Sequence, residues 1–293
     1  MRRFTKNISV FTVFNTLILV AAALVCIIPL IHIAAISFSS SPAAAAGKVV
    51  LWPVDFSLNS YAFVAKRAAF WESMLISVER IAIGGFLNLV LTVMVAYPLS
   101  KETREFRSRT FYVWAFFITM LFSGGMIPWY MVIKQMGLID KIWALVLPGA
   151  VPVFSVIILL NFFREVPKEL SEAAFMDGAG HWKTLWKIYV PVSTPALATI
   201  LLFSLVGHWN SWFDGLILMN NPKNYPMQSY IQTIVVQRSY SSMTREEIQS
   251  LATISDKTLR SSQIFLGSLP IILVYPFLQK FFVKGIVLGG VKG

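Results

Sequence analysis

The chain is poor in the residues from which most enzyme sites are built. Its single cysteine, Cys26, lies inside an apolar run, where it reads as a small core residue; no disulfide framework is available and the redox compartment is left open. The three histidines, His32, His181 and His208, fall at no ligand spacing, which argues against a metal centre. No Gly-x-Ser-x-Gly elbow marks a serine nucleophile. The Gly-x4-Gly-Lys-Ser/Thr loop that cradles nucleotide phosphates is missing too. Its nearest lookalike, from Gly178 to Lys183 and Thr184, has Trp182 where the second glycine must sit. Charge is scarce at 13%, with 14 acidic residues against 25 Lys and Arg. No aromatic-plus-basic segment resembles a nucleic-acid module, so no nucleic acid is expected as a partner.

What is abundant is apolar surface. At 56% hydrophobic residues and a mean hydropathy of +0.68, the 293 residues fall in the membrane class, with lipid as the first partner. The pattern predicts an all-α membrane protein, a single transmembrane domain over residues 1–293. Six spans are expected at about 11–36, 71–99, 111–133, 142–163, 191–219 and 263–279. Arg2, Arg3 and the run that follows could be read as a cleaved signal peptide, but about 26 apolar residues are too many for one and suit an uncleaved span. Pro148 and Pro152 should bend span four.

Six spans put both termini on one side. The segments on that side carry 14 Lys and Arg in about 59 residues, against 10 in about 80 on the other. The positive-inside rule therefore makes the N- and C-termini cytoplasmic, together with the loop 164–190 between spans four and five. No internal repeat is apparent.

Two groups of polar residues interrupt the spans. Glu79 and Arg80 lie roughly 12–14 Å into span two at 1.5 Å per residue. A charge at mid-bilayer costs on the order of 3 kcal/mol on insertion scales, so such residues face a bundle interior or a watery cavity. Adjacent helix positions point about 100° apart, so the two require different partners. Two readings stand, a structural ion pair or backbone contact with another span, or Arg80 lining a pathway and helping select an anionic sugar. Span five carries His208, Trp209, Asn210, Trp212 and Asp214. Aromatic faces beside amide and carboxylate groups suit a saccharide path, and an interfacial aromatic belt suits them equally. Trp129 and Tyr130 read as outer-boundary anchors, and Lys280, Lys284 and Lys292 as a topological anchor.

The longest polar interruption of the second half is the loop from Glu172 to Pro191. Pro167 suits a helix start, and Gly178 and Gly180 a helix end, which predicts a short helix over roughly 167–177. Trp182, Leu185, Trp186 and Tyr189 repeat at helical spacing as an apolar stripe, with Lys183 and Lys187 on another face.

Glu172, Ala173, Ala174, Gly178, Ile188 and Pro191 match, at fixed spacing, the EAA loop of bacterial ABC-importer permeases, with Val190 in place of the usual Leu. Residues 122–128 and the ending from Phe282 to Gly293 resemble the carbohydrate-uptake branch, the smaller maltose-permease-subunit type. Within it the likeness is greatest to importers of alginate and pectic oligosaccharides. The resemblance implies a permease in the bacterial cytoplasmic (inner) membrane whose Glu172, Ala173, Ala174, Asp177, Gly178, Ile188 and Pro191 couple it to an ATPase. It implies as partners a second, different permease subunit, two ATPase subunits, an extracytoplasmic solute-binding protein and an oligosaccharide substrate. No cofactor is expected on this chain; ATP and Mg would sit on the ATPase subunits. In maltose-type relatives the C-terminal tail also reaches the ATPase interface.

The resulting expectation is a transport subunit working by alternating access, with the helix at Glu172–Gly178 as lever. A same-fold alternative carries another small solute, such as neutral sugar or glycerol phosphate. A self-contained channel or secondary carrier is the alternative of a different class; it would call for an internal repeat.

Overall fold

The computed structural model describes residues 10–236 and 255–290, and among them every regular element is helical. Arg2, Arg3, Lys6 and Lys292 lie outside the described residues, as does much of the polar loop 220–261. By internal contacts the chain divides into two units, Met1–Ala68 with Thr233–Leu269, and Ala69–Gln232 with Pro270–Gly293.

The first unit holds α1 (Val10–Ser37), α2 (Ser41–Ala45), α3 (Asn59–Lys66) and the start of the last helix, α14 (Asp256–Gly290). Over most of its length α1 exposes its side chains all round, as a helix solvated by lipid must; Cys26 is among them, so it is not the core residue its setting suggested. Only its end is buried, where Ala35 packs with Ala43, Ala44 and Val49. Ser40 caps α2 by accepting from the Ala43 N–H (3.4 Å), and Ser37 Oγ bonds Tyr61 Oη (2.6 Å). Phe38 stacks on Phe56 and Tyr61 and meets Phe265 edge-on.

The second unit is built around α4 (Ala68–Ser100), which matches span two. Its buried side is small and polar: Ser73, Ser77, Arg80, Gly84, Asn88, Thr92 and Ala96 recur every three or four residues. Trp71, Leu75, Val78 and Phe86 point outward. That inversion suits a helix bathed in hydrocarbon, where lipid takes the apolar side chains and close helix packing takes the small ones. At the far end, Val93, Ala96, Tyr97 and Leu99 join Val156, Leu159, Leu160 and Phe163 of α8 (Val153–Glu165) in the largest apolar core.

Three expected spans are broken. The segment expected at 111–133 is two helices, α5 (Arg109–Leu121) and α6 (Met126–Gln135), turned by 114°. Gly125 adopts φ +86°, a conformation that costs glycine little, and its N–H donates to Ser123 Oγ (3.2 Å). The segment 142–163 bends by 47° between α7 (Ile142–Val146), with its 3₁₀ extension to Gly149, and α8, at the two prolines. The segment 191–219 is α11 (Thr194–Asn210) and α12 (Phe213–Leu218), separated by Ser211 and Trp212. Two helices among the described residues are long and apolar enough to cross a membrane, or up to five if the bent pairs α5–α6, α7–α8 and the helix His181–Val192 with α11 each count as one. Helix α14 runs beyond the expected 263–279 at both ends, so Lys280 and Lys284 lie on helix rather than in a tail.

Helix α13 (Met227–Val236) closes the second unit against α12. Met227 N–H donates to Ser77 Oγ (2.7 Å), and Ser229 Oγ donates to Trp212 O (2.7 Å). A Cβ on Gly215 would overlap Ser229 Oγ and stand 2.9 Å from Pro226 Cδ. Gly215→Ala should therefore destabilise the protein by about 1–3 kcal/mol, read as a lowered Tm of the purified protein in detergent; an unchanged Tm would show that the contact relaxes freely.

Candidate functional site

The polar residues of spans two and five meet. Arg80, 3% exposed, is held by five hydrogen bonds from three directions. Its Nη2 pairs with Asp214 Oδ2 and donates to Leu145 O (3.3 Å). Its Nη1 donates to Asp214 Oδ1 (3.2 Å) and Ser211 O (3.4 Å), and its Nε to His208 Nδ1 (3.4 Å). With Nδ1 accepting, the His208 proton sits on Nε2, which donates to Asn88 Oδ1 (2.9 Å). Asn88 also accepts from Ser204 Oγ (2.6 Å) and donates to Gly149 O (2.8 Å) and Ala150 O (3.0 Å), carbonyls left over at the proline break.

Local sequence explains the arrangement. Arg80 and Asn88 are eight apart and share one face of α4; Ser204 and His208 are four apart on α11. Gly84 lies between them, and a Cβ there would overlap the His208 ring. Where α11 ends, Asp214 turns back over the break, accepting from Ser211 Oγ (2.8 Å) and its neighbour Gly215 N–H (2.9 Å). Glu79, one residue from Arg80, is on the exposed side and makes no ion pair with any described residue. Trp209 is buried at 4% exposure, whereas Asn210 and Trp212 are exposed.

Beside this network lies a cleft of about 740 Å³, lined by Gly124, Met126, Trp129, Met136, Ser211 and Asp214 among others. The break between α5 and α6 thus faces the break after α11. Sequence reasoning missed Asn88, Ser204, Ser211 and this cleft. The stripe of small and polar residues along α4 was the available signal for Asn88.

The loop 164–190 forms a second polar region. Helix α9 (Lys168–Met176) starts after Pro167 and ends at Asp177, and Gly178 takes φ +75° to reverse the chain. Glu172, Ala173, Asp177 and Gly178 are exposed, Ala174 and Ile188 half-buried, Pro191 exposed. Helix α10 (His181–Val192) follows and is not the simple stripe expected. Residues Leu185–Tyr189 form a π turn. Thr184, Leu185 and Tyr189 are buried against the core, while Trp182 and Trp186 lie off that face and point outward.

A polar cleft of about 980 Å³ lies behind α9, lined by Lys101, Arg104, Arg164, Lys168, Glu172 and His181 among others. Lys101 Nζ sits 4.6 Å from the ring centres of both Tyr97 and Tyr189 and donates to Tyr189 Oη (3.1 Å). Lys168 pairs with Glu102; its hydrogen bond holds that carboxyl below the usual carboxylate range. Both partners are well exposed, so the pair adds little stability. Among the described residues no cluster of His, Cys, Asp or Glu has the make-up of a metal site.

Asp214→Ala should leave a buried, unpaired guanidinium and cost about 3–5 kcal/mol, whereas Arg80→Met with Asp214→Leu should cost far less. The yield of folded protein after solubilisation measures both; equal losses would mean that the charge itself is not what the site protects.

Comparison with known proteins follows the same lines. A family model described as "Binding-protein-dependent transport system inner membrane component" matches residues 81–288. The polygalacturonan/rhamnogalacturonan transport system permease protein YtcP of Bacillus subtilis (strain 168) is 38% identical over 271 residues, 92% of this chain and 94% of the relative. Protein LplC of the same organism is 37% identical over 289 residues, 99% and 97% of the two chains. In a crystal structure of a bacterial ABC transporter involved in the import of the acidic polysaccharide alginate, one chain aligns with a TM-score of 0.87 and 31% identity. The alignment covers 96% of this chain and 100% of that one. A chain of a bacterial alginate ABC transporter in complex with alginate pentasaccharide-bound periplasmic protein shares the fold at TM-score 0.57 and 14% identity, over 94% and 96% of the two chains.

Proposed function

The chain belongs to the family of binding-protein-dependent transport system inner membrane components, and from that premise we propose that it is the permease subunit of an ATP-driven oligosaccharide importer. Membership makes it a transport subunit and not an enzyme. In this reading six spans cross the bacterial inner membrane with both termini inside: α1, α4, the three broken pairs and α14. The charge asymmetry of the loops supports that orientation. A second permease subunit, two ATPase subunits carrying ATP and Mg, and an extracytoplasmic solute-binding protein complete the machine.

The observation that carries the proposal is α9 itself. It is a short exposed helix with Met176 at 88% exposure, placed between two bent pairs and ended by a left-handed Gly178. Such a helix is available to a partner's groove, and its neighbours Ala173 and Gly178 leave room for close seating. Closure of the ATPase subunits on ATP would displace α9, and the broken helices beside it would pass that displacement to the cleft at Asp214. Glu172→Arg or Gly178→Asp should abolish substrate-stimulated ATPase at unchanged basal rate in the reconstituted complex. Wild-type coupling with an intact complex would reject the lever role.

The cargo we propose is an oligosaccharide with acidic units, a reading that rests on what the relatives are named for. The site here refines where selectivity can reside. Arg80 is buried and neutralised by Asp214, which favours its structural role over that of a free cation for a passing uronate. Sugar contact in this chain falls instead to the half-buried Trp129 lining the cleft and to the exposed Asn210 and Trp212 near it, whose ring faces and amide suit CH surfaces and hydroxyls. Trp212→Ala or Asn210→Ala should lower uptake several-fold while assembly and basal ATPase survive. Trp209→Ala should impair assembly. Uptake of oligogalacturonate in competition with raffinose tests the charge preference; equal competition would favour a neutral cargo.

A further inference from the structure

Helix α10 has an exposed face that the coupling role of α9 does not use. Its axis stands at 82° to α11, which follows directly after the single residue Ser193. If α11 crosses the membrane, α10 lies in the membrane plane at the depth where that span begins. Thr184, Leu185 and Tyr189 pin one side of α10 to the protein core. On the other side Trp182 is 63% and Trp186 45% exposed, with Lys183, Lys187 and Val192 exposed beside them. Indoles settle at the headgroup level because the ring is apolar and its N–H polar, and lysine stems lie along the apolar boundary with their ammonium groups in the anionic layer. A basic helix face with aromatic residues, held parallel to the bilayer, has the chemistry of an interfacial helix.

We infer that α10 is a lipid-facing in-plane helix whose Trp182 and Trp186 sit among phospholipid headgroups of the inner leaflet while Lys183 and Lys187 select anionic ones. The inference rests on the proposed topology, with the loop 164–190 inside. The occupant is lipid rather than the ATPase because the two helices of the loop differ in chemistry. The exposed residues of α9 include Glu169, Glu172 and Met176 and no tryptophan, whereas α10 presents two indoles with two lysines beside them. The indoles are left for this because the packed side of α10 is taken by Thr184, Leu185 and Tyr189. The role that follows is a fulcrum. An α10 anchored in the headgroup layer turns movement of α9 into rotation of α11 instead of translation of the whole loop.

The test places a photoreactive residue on the exposed face, Trp186→p-benzoylphenylalanine and, separately, Trp182→p-benzoylphenylalanine, in the full complex with its partner subunits. The complex is reconstituted in vesicles of phosphatidylglycerol and phosphatidylethanolamine, and illumination is followed by mass spectrometry of this chain. Phospholipid adducts at both positions are the expected result. Adducts to an ATPase or to the second permease subunit, or none at all, would overturn the inference. Adding Lys183→Gln and Lys187→Gln should lower the ratio of phosphatidylglycerol to phosphatidylethanolamine adducts about threefold or more; an unchanged ratio would overturn the anionic selectivity. Substrate-stimulated ATPase on the same vesicles separates the two levels of failure. Coupling without lipid adducts refutes the lipid contact alone, and a chain that recovers no ATPase partner refutes the permease reading beneath it.

Discussion

A guanidinium only 3% exposed inside the protein must find its hydrogen-bond partners there, and the second unit is organised around meeting that demand at Arg80. Every one of its donor nitrogens is used, by the Asp214 carboxylate, by the carbonyls of Leu145 and Ser211, and by the His208 ring. The partners come from α7, from α11 and its end, and from α12, so satisfying one side chain fixes several elements relative to α4. The fit depends on absence of bulk as much as on presence of charge, since only a glycine at position 84 admits His208 to its place. Removing one charge would leave the other exposed to a low dielectric, which makes this pair an organising constraint whatever its net contribution to stability.

The same shortage of water governs the broken helices. Non-helical backbone at membrane depth survives only where protein covers it or where it lines a cavity. Asn88 covers the carbonyls at the break before α8, and Asp214 with Ser211 closes the break after α11. The break between α5 and α6 is arranged differently: Ser123, Gly124 and Gly125 line the 740 Å³ cleft. Polar closure and cavity are thus two answers to one problem, and they lie side by side at Ser211 and Asp214. Elements joined through such breaks are suited to pivoting, because the helical hydrogen-bond ladder is already interrupted there.

At the opposite end of α4 the chemistry changes from ion pair to aromatic cluster. Tyr97, Phe163 and Tyr189 meet edge to face, His181 lies against Tyr97, and Phe175 of α9 lies against His181. Lys101 caps the group over two of the rings. Rings packed in this way resist compression, so α9, α10, α8 and α4 are joined by a contiguous stack rather than by flexible loop. Under the proposed lever role, that stack is where a push on the exposed loop would meet α4 and α8.

Composition and periodicity were enough to read the helical class, the extents of α1 and α4, the bend at Pro148 and Pro152, and the helix that ends at Gly178. Each of these depends on neighbours along the chain: apolar runs, proline's missing N–H, glycine's tolerance of positive φ. The spacing of Glu172, Ala173, Ala174 and Gly178 likewise carried the family resemblance without any knowledge of packing. Long-range facts were not legible. Arg80 and Asp214 stand 134 positions apart, and nothing local couples them. The separate fates of Trp209 and Trp212, the outward turn of Trp182 and Trp186, and the cleft shared by two breaks were decided by which faces the fold had already committed to the core. A side chain's local pattern states what it can tolerate, and only the elements packed around it determine what it meets.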